Sequence, residues 1–264
     1  MSSKSRPVPD KHLDPADGQD FKRTPELEQH HVHEVYNQLA TQWAGTRYKA
    51  WPEVERFFQT HAQPNSLVGE IGCGNGKNLR ESLACTGSPL VIASDVSFPL
   101  CEIAALQTPK ADIHVADIIS LPMRSEVFDL GICIAVLHHL STQRRRLAAV
   151  QECARVMRPG AKLMFLAWAQ EQQLGVSGHE FAKQDVFVPF HQKTYQGEVF
   201  PPAHVDEEIG HGVLDLGKRS LVYQRYCHVF VEGELEQLVE SCGNLKLVRS
   251  FTDAGNWGVV CEKQ

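Results

Sequence analysis

In the stretch Leu67-Val-Gly-Glu-Ile-Gly-Cys-Gly-Asn-Gly-Lys77 a short apolar run leads straight into three glycines at alternate positions, Gly72, Gly74 and Gly76, and a helix-forming segment begins beside them. This predicts a strand, a tight turn and a helix N-terminus. Glycine lets the backbone turn sharply and lets a ligand lie against it, while the first N–H groups of the following helix lack internal partners. A nucleotide-like ligand fits such a turn. Dinucleotide folds place the third glycine one residue later, so that a pyrophosphate sits on the helix N-terminus; that position here is Lys77, and an acid, Glu70, stands two residues before the first glycine. Taken alone, a glycine triplet reads equally as a structural turn.

Two further acids turn the motif into a set. Pro89-Leu-Val-Ile-Ala-Ser-Asp95 reads as a second buried strand ending in Asp95, 19 residues beyond Gly76, where a carboxylate can accept hydrogen bonds from both ribose hydroxyls. A third strand, Asp112-Ile-His-Val-Ala-Asp117, ends in Asp117. Either acid alone reads as readily as a turn residue or helix cap. With Glu70 and the G-x-G-x-G spacing, the set resembles the cofactor motifs of class I S-adenosylmethionine-dependent methyltransferases. The resemblance implies that Glu70 helps hold the turn and the methionine moiety, and that Asp117 faces the exocyclic amine of adenine.

Val127-Phe-Asp-Leu-Gly-Ile-Cys-Ile134 is the fourth strand, apolar enough to be buried on both faces of a parallel sheet. It runs into Ala135-Val-Leu-His-His-Leu-Ser-Thr142, the loop where transferred methyl and acceptor must meet, because ligands in such sheets lie beyond the carboxyl ends of the strands. Ala135 is accordingly a cofactor-binding candidate. His138 and His139 are candidates for base, acceptor-positioning or plain loop roles. Residues 143 to 157 form an amphipathic helix with Arg144-Arg-Arg146 near its start. Cations there oppose the helix dipole, so a phosphate site is an alternative to the favoured reading, a solvated face. Pro159-Gly160 closes the helix and Ala161 to Trp168 is the fifth strand. Residues 170 to 222 show no sustained period, and regularity returns at Tyr223 to Val231, then a helix over Glu232 to Ser241 and a hairpin from Leu245 to Cys261. The expected fold is α/β, the Rossmann-like seven-stranded sheet of class I methyltransferases with a terminal antiparallel hairpin. It forms one domain over 25–264, with an N-terminal helix and lid at 25–60 and an insertion at 170–222, behind a polar, disordered tail at 1–24.

The 264 residues are 42% hydrophobic and 22% charged, values of a globular protein. No run approaches the ~20 apolar residues of a membrane span, and the N-terminus lacks a signal-peptide core, so the expectation is a cytoplasmic protein with no membrane partner, the nucleus being the second compartment considered. Eight cysteines without a C-x-x-C pair suggest reduced thiols and no metal site. Val32, Val35, Tyr36, Leu39, Ala40 and Trp43 recur at helical spacing. His30, His31 and His33 lack a further ligand at set spacing, which favours solvated helix histidines over a metal cluster.

Val32-His-Glu-Val-Tyr-Asn-Gln-Leu-Ala40 followed by Thr46-Arg-Tyr-Lys-Ala-Trp-Pro52 resembles the N-terminus of the eukaryotic tRNA wobble-uridine methyltransferases that esterify 5-carboxymethyluridine. The resemblance extends through the glycine motif, Ile134 to His139, Gln184 to Pro189, Tyr226 to Leu235 and Asn256-Trp257. Glu70 in place of the more usual Asp, Ala50 in place of a proline before Trp51, and Asp206-Glu-Glu208 in an insertion that relatives fill with lysines depart from it. The resemblance implies S-adenosyl-L-methionine as cofactor, tRNA as substrate and a small zinc-binding activator subunit as heterodimer partner. A net charge of −6 is wrong for a protein that grips a polyanion alone, since Lys and Arg contacts to phosphate supply most nucleic-acid affinity, so either the basic residues are gathered on one face or a partner supplies them; the acidic balance by itself speaks for a small-molecule acceptor.

The carboxylate of a carboxymethyl group, with a pKa of ~4, is ionised at neutral pH and needs no general base. Alignment and exclusion of water then dominate. Arg47 and Arg225 are the candidates for orienting that carboxylate, with His138, His139 and Trp51 shaping its pocket. Two other classes share the cofactor features: a small-molecule methyltransferase, which would need no basic surface, and a catalytically silent binding relative, against which the intact cofactor set speaks.

Overall fold

A computed structural model describes residues 5–9, 21–46, 50–80, 84, 90–172, 180–193, 212–215 and 217–264. In chain order its elements are β1 (Arg6–Pro7), α1 (Glu26–Glu28), a π-helical turn (Gln29–His33), α2 (Glu34–Thr46), α3 (Pro52–His61), β2 (Leu67–Ile71), β3 (Leu90–Asp95), α4 (Phe98–Gln107), β4 (Ala111–Val115), β5 (Phe128–Ile134), α5 (Gln143–Val156), β6 (Met157–Trp168), β7 (Asp185–Lys193), β8 (Val213–Asp215), β9 (Ser220–His228), α6 (Glu234–Glu240), β10 (Leu245–Asp253) and β11 (Asn256–Lys263).

Seven strands form one sheet in the order β10-β11-β6-β5-β2-β3-β4. Strands β2 to β6 pair in parallel, and β11 and β10 close one side antiparallel. This is the topology expected from the sequence. The chain winds outward from β2 through β3 to β4, then restarts on the other side of β2 with β5, so a crevice opens at the carboxyl ends of β2 and β5. One face of the sheet packs Phe128, Leu163 and Phe165 against Ala149, Val150 and Cys153 of α5. The other packs Leu130, Ile132 and Val91 against Val54, Phe57 and Phe58 of α3, whose i, i+3, i+4 spacing makes a single apolar stripe. Pro159-Gly160 does not separate helix from strand: the helix ends at Val156 and both residues lie within β6.

A second sheet, β1-β7-β9-β8, occupies part of the insertion expected to be irregular at 170–222, of which residues 173–179, 194–211 and 216 lie outside the described residues. Strand β7 was hidden by Pro189, which demotes an apparent strand to an edge. The Asp185 carbonyl accepts from the Val8 N–H, so residues 185, 187 and 189 turn their main-chain groups toward β1, which pairs only with Val186 and Phe187. Pro189 thus stands beyond the pairs that Arg6–Pro7 make with β7, and its missing donor takes nothing from the ladder with β9. Residues 5–9 likewise depart from the disordered tail assigned to 1–24: Arg6–Pro7 pair with β7 and Val8 is buried against Phe187. The helical segment from α1 through the π-helical turn to α2 lies on this sheet, with Leu27, Val32 and Tyr36 against Phe187 and Tyr226, and Val35 and Leu39 against Tyr223. Together they roof the crevice.

Candidate functional site

A cavity of about 610 Å³ occupies the crevice, lined from below by the strand ends and from above by α1, α2 and β9. That is the size of a small-molecule site. Gly72 turns with φ +78°, and a Cβ there would lie 2.1 Å from Val136 Cγ2. Gly74 turns with φ +55°, and a Cβ there would meet no protein atom within 4 Å. The two glycines serve different ends: Gly72 admits the neighbouring loop, whereas Gly74 leaves bare backbone at the cavity wall. Gly76 faces away and packs against Leu79 and Ala104; it is structural and not a lining residue.

The acids divide similarly. Asp95 accepts from the Gly74 N–H at 2.8 Å through Oδ2 and from the Ser97 N–H at 2.9 Å through Oδ1, so it pins the glycine loop to the start of α4 while lining the cavity. Burial raises its pKa, and those N–H groups oppose the rise. Asp117 also lines the cavity, its Oδ1 held by the Ile119 N–H at 3.0 Å. Glu70 does not reach the cavity. It is buried behind the loop, where Oε1 accepts from Asn78 Nδ2 at 3.1 Å and Oε2 has no partner, and burial pushes its pKa up to about 8. Its contact with the methionine moiety is therefore corrected to support of Asn78, which does line the cavity. A nucleoside with a ribose diol and an exocyclic amine fits Gly74, Asp95 and Asp117; Trp51, also in the wall, offers a buried Nε1–H without a partner and carries Lys77 Nζ 4.7 Å from its ring.

The opposite end is built by β5, β6 and the roof. Ala135, at the end of β5, takes φ +62° with its N–H donating to Leu166 at 2.7 Å, a strained conformation for a residue with a Cβ, and it lines the cavity. The next turn carries His138 and His139, both buried. His138 Nδ1 accepts from the Trp168 N–H at 3.2 Å, and burial holds its pKa well below the usual value. His139 Nδ1 donates to the Tyr226 carbonyl at 2.9 Å, which leaves Nε2 to accept from the Tyr36 hydroxyl at 2.8 Å. Burial, with Arg225 adding to it, lowers its pKa to about 3. Cys227 lies within 4.8 Å of both histidines, and both nitrogens of His139 are engaged in hydrogen bonds. Arg225, 4% exposed, lies among the rings of Trp43, Trp168 and Phe190.

Arg47 lies outside the described residues. The arginine run is not a solvated face: Arg145 and Arg146 turn inward. Arg145 bonds both oxygens of Glu28 from Nε at 3.0 Å, with Nη2 2.9 Å from Glu28 and 3.8 Å from Asp117. Arg146 donates to the Leu140 carbonyl. Nor are the early histidines all solvated, since His31 meets the Gln224 carbonyl and the Phe187 ring, and His33 lines the cavity with its pKa lowered by burial. Tyr36, Trp43, Trp168, Asn78 and Glu28 are site residues the sequence reading did not single out. Tyr36 and Trp43 are seven apart on one helical face, the signal that could have found them.

A family described as methyltransferase domain matches residues 69–165. The tRNA (carboxymethyluridine(34)-5-O)-methyltransferase of Schizosaccharomyces pombe is 40% identical over 240 residues, covering 90% of this chain and 98% of that protein. The protein of the same name from Saccharomyces cerevisiae is 31% identical, covering 93% and 100%. Among solved structures, the Burkholderia thailandensis 1,6-didemethyltoxoflavin-N1-methyltransferase, with S-adenosylhomocysteine bound, superposes with a TM-score of 0.62 over 98% of this chain and 95% of that one, at 14% identity.

Proposed function

Since the chain belongs to the tRNA (carboxymethyluridine(34)-5-O)-methyltransferase family, we propose that it methylates the carboxylate of 5-carboxymethyluridine at the tRNA wobble position, using S-adenosylmethionine. The observation that carries the choice of a carboxylate is the state of the two acceptor-side histidines. Both are buried and held neutral, His139 down to a pKa of about 3. So weak a base is ill suited to deprotonating a hydroxyl acceptor. An acceptor that is already an anion fits.

Bound S-adenosylmethionine supplies a methyl group on a sulfonium, open to in-line attack. Gly74, Asp95 and Asp117 would hold its nucleoside, and Asn78, braced by Glu70, supports the same wall. His138, His139 and Trp168 form the opposite wall and exclude water. Since anion and cation neutralise each other as the bond forms, a dry and aligned site accelerates the step.

The zinc-binding activator is part of the same proposal. Strand β4 lies at the sheet edge, an open template for a partner strand. Exposed Leu90, Phe98, Leu106 and Val115 belong to β3, α4 and β4 at that end of the sheet. The net charge of −6 supports a partner that contributes basic surface for tRNA. Methyl transfer to tRNA bearing carboxymethyluridine, measured with and without the activator, tests both parts. Ester formation that depends on the activator is expected, with added hydrogen-exchange protection over residues 111–115. Transfer only to small molecules would overturn the substrate, and unchanged exchange on complex formation would overturn the docking edge.

A further inference from the structure

We infer that Arg225 is the receptor for the acceptor's carboxylate and makes the site select an acid over the corresponding amide, with Tyr36 and His139 as the residues that position it. This deepens the reading above and rests on it.

Arg225 sits on β9 in the roof and is 4% exposed. Among the described residues no carboxylate lies within ion-pair distance of its guanidinium. Its Nε is buried without a hydrogen-bond partner, and its one hydrogen bond runs from Nη1 to the Tyr36 hydroxyl at a long 3.4 Å. A buried cation without a counter-ion is costly, and removing one from water is tolerated only where something compensates. The three rings compensate in part, with the guanidinium carbon 5.1 Å from the Trp43 centroid, 5.7 Å from Trp168 and 5.5 Å from Phe190. They leave its planar donors unfilled. The other two buried arginines among the described residues are used internally, Arg145 by Glu28 and Arg146 by the Leu140 carbonyl. A carboxylate is the shape a guanidinium edge accepts in two hydrogen bonds.

Position decides which carboxylate. The nucleoside side of the cavity is made by the ends of β2, β3 and β4, whereas Arg225 stands beside His139, at the end of β5, and Trp168, at the end of β6. Its orientation is fixed by a one-way chain of donors. Arg225 donates to the Tyr36 oxygen, Tyr36 donates to His139 Nε2, and His139 Nδ1 donates to the Tyr226 carbonyl. A protonated His139 would break that chain by having no acceptor left, and would set a second cation beside the first. An amide keeps the outline of the acid, but it is neutral and sets an NH2 donor where the acid has an acceptor, so the receptor discriminates through the charge and the second hydrogen bond together.

The test uses the full chain with its activator and S-adenosylhomocysteine, binding two anticodon stem-loop RNAs by fluorescence anisotropy, one with 5-carboxymethyluridine and one with 5-carbamoylmethyluridine. The parent should bind the acid at least tenfold more tightly than the amide. Arg225→Gln should reduce that preference below threefold, Arg225→Lys should restore part of it, and S-adenosylhomocysteine affinity should stay within twofold in both. Tyr36→Phe keeps the ring but breaks the positioning chain, and should lower the preference severalfold. A parent ratio near one overturns the inference without any variant, as does a preference that survives Arg225→Gln. So does an Arg225→Gln protein that loses S-adenosylhomocysteine while still preferring the acid, since the guanidinium would then serve the cofactor's carboxylate. Methyl transfer by the parent complex to the acid-bearing RNA is scored separately, so that failure of the acceptor reading is distinguishable from failure of the receptor.

Discussion

Replacing Gly74 and Gly72 one at a time by alanine separates ligand space from protein space. At Gly74 the new Cβ meets no protein atom within 4 Å, so the folded state bears only the left-handed backbone of φ +55°. That costs roughly 1–2 kcal/mol, offset in part by about 0.4–1 kcal/mol from the stiffer unfolded chain. The melting temperature should fall by no more than about 2–6 °C for a chain of this size. Cofactor affinity should fall much further, because the methyl group occupies the wall on which the nucleoside lies. Overpacking of about 1–3 kcal/mol corresponds to roughly a 5- to 150-fold loss. At Gly72 the same substitution puts Cβ 2.1 Å from Val136 Cγ2 at φ +78°. Backbone and overpacking terms then add to about 2–5 kcal/mol of stability. Calorimetric titration with S-adenosylhomocysteine and a thermal melt read the two quantities independently. A Gly74→Ala protein that binds within twofold of the parent, or one that is destabilised more than Gly72→Ala, would refute the assignment.

Glu28→Gln removes one partner of a buried ion pair and should cost about 3–5 kcal/mol in urea denaturation, whereas Glu28→Met with Arg145→Met should recover most of that loss; equal destabilisation of single and double variants would show the pair is not the cause. No histidine-dependent step in the rate of methyl transfer should appear from about pH 6 to 9, since burial lowers the pKa of His139 to about 3 and holds that of His138 well below 6.5; a tenfold climb per pH unit up to about 6.5, lost in His139→Gln, would make that histidine a base. Because the folded pKa of His139 is below its ordinary 6.5, its contribution is complete above that pH and is lost at about 1.4 kcal/mol per unit as pH falls toward 3; His139→Gln should flatten the acid limb of a stability profile. Glu70 runs the other way, its folded pKa of about 8 lying above the ordinary 4.5, so stability drains as pH rises between them; Glu70→Gln should abolish that decline, and an unchanged alkaline limb would contradict a protonated Glu70.

The central sheet was legible because its inner strands are buried on both faces and so appear as unbroken apolar runs ending in a glycine turn or an acid. Residues 128–134 needed no knowledge of their neighbours to be read. The second sheet was only partly legible: the regularity at Tyr223 to Val231 overlaps β9, whereas β7 was hidden by Pro189 and mixed polarity. Tyr36 and Trp43 were visible as part of a helical stripe, but periodicity says that a face is covered and not whether a core or a cavity covers it. Arg145 was lost for another reason: its partner Glu28 lies 117 residues away, and a charge run reads as solvated until its partner is found. Glu70 was found and given the wrong contact, since spacing places an acid at the turn without saying which side of the backbone it occupies.

The buried pair also explains how a roof made from the start and the end of the chain can seal a site built by the middle. Glu28 belongs to α1, in the roof, and Arg145 to α5, against the sheet, and the same guanidinium lies 3.8 Å from Asp117 in the cavity wall. Its Nη1 further donates to the main-chain carbonyls of Phe21 and Arg23, tying down the segment that leads into α1. Lifting the roof would break these bonds together, so the buried pair opposes opening. A site meant to discharge an anion against a sulfonium gains from that resistance, because each admitted water would stabilise the separated charges more than the neutral product. The acceptor must enter past it, so the anion that fills Arg225 and the roof that closes over it favour the same state.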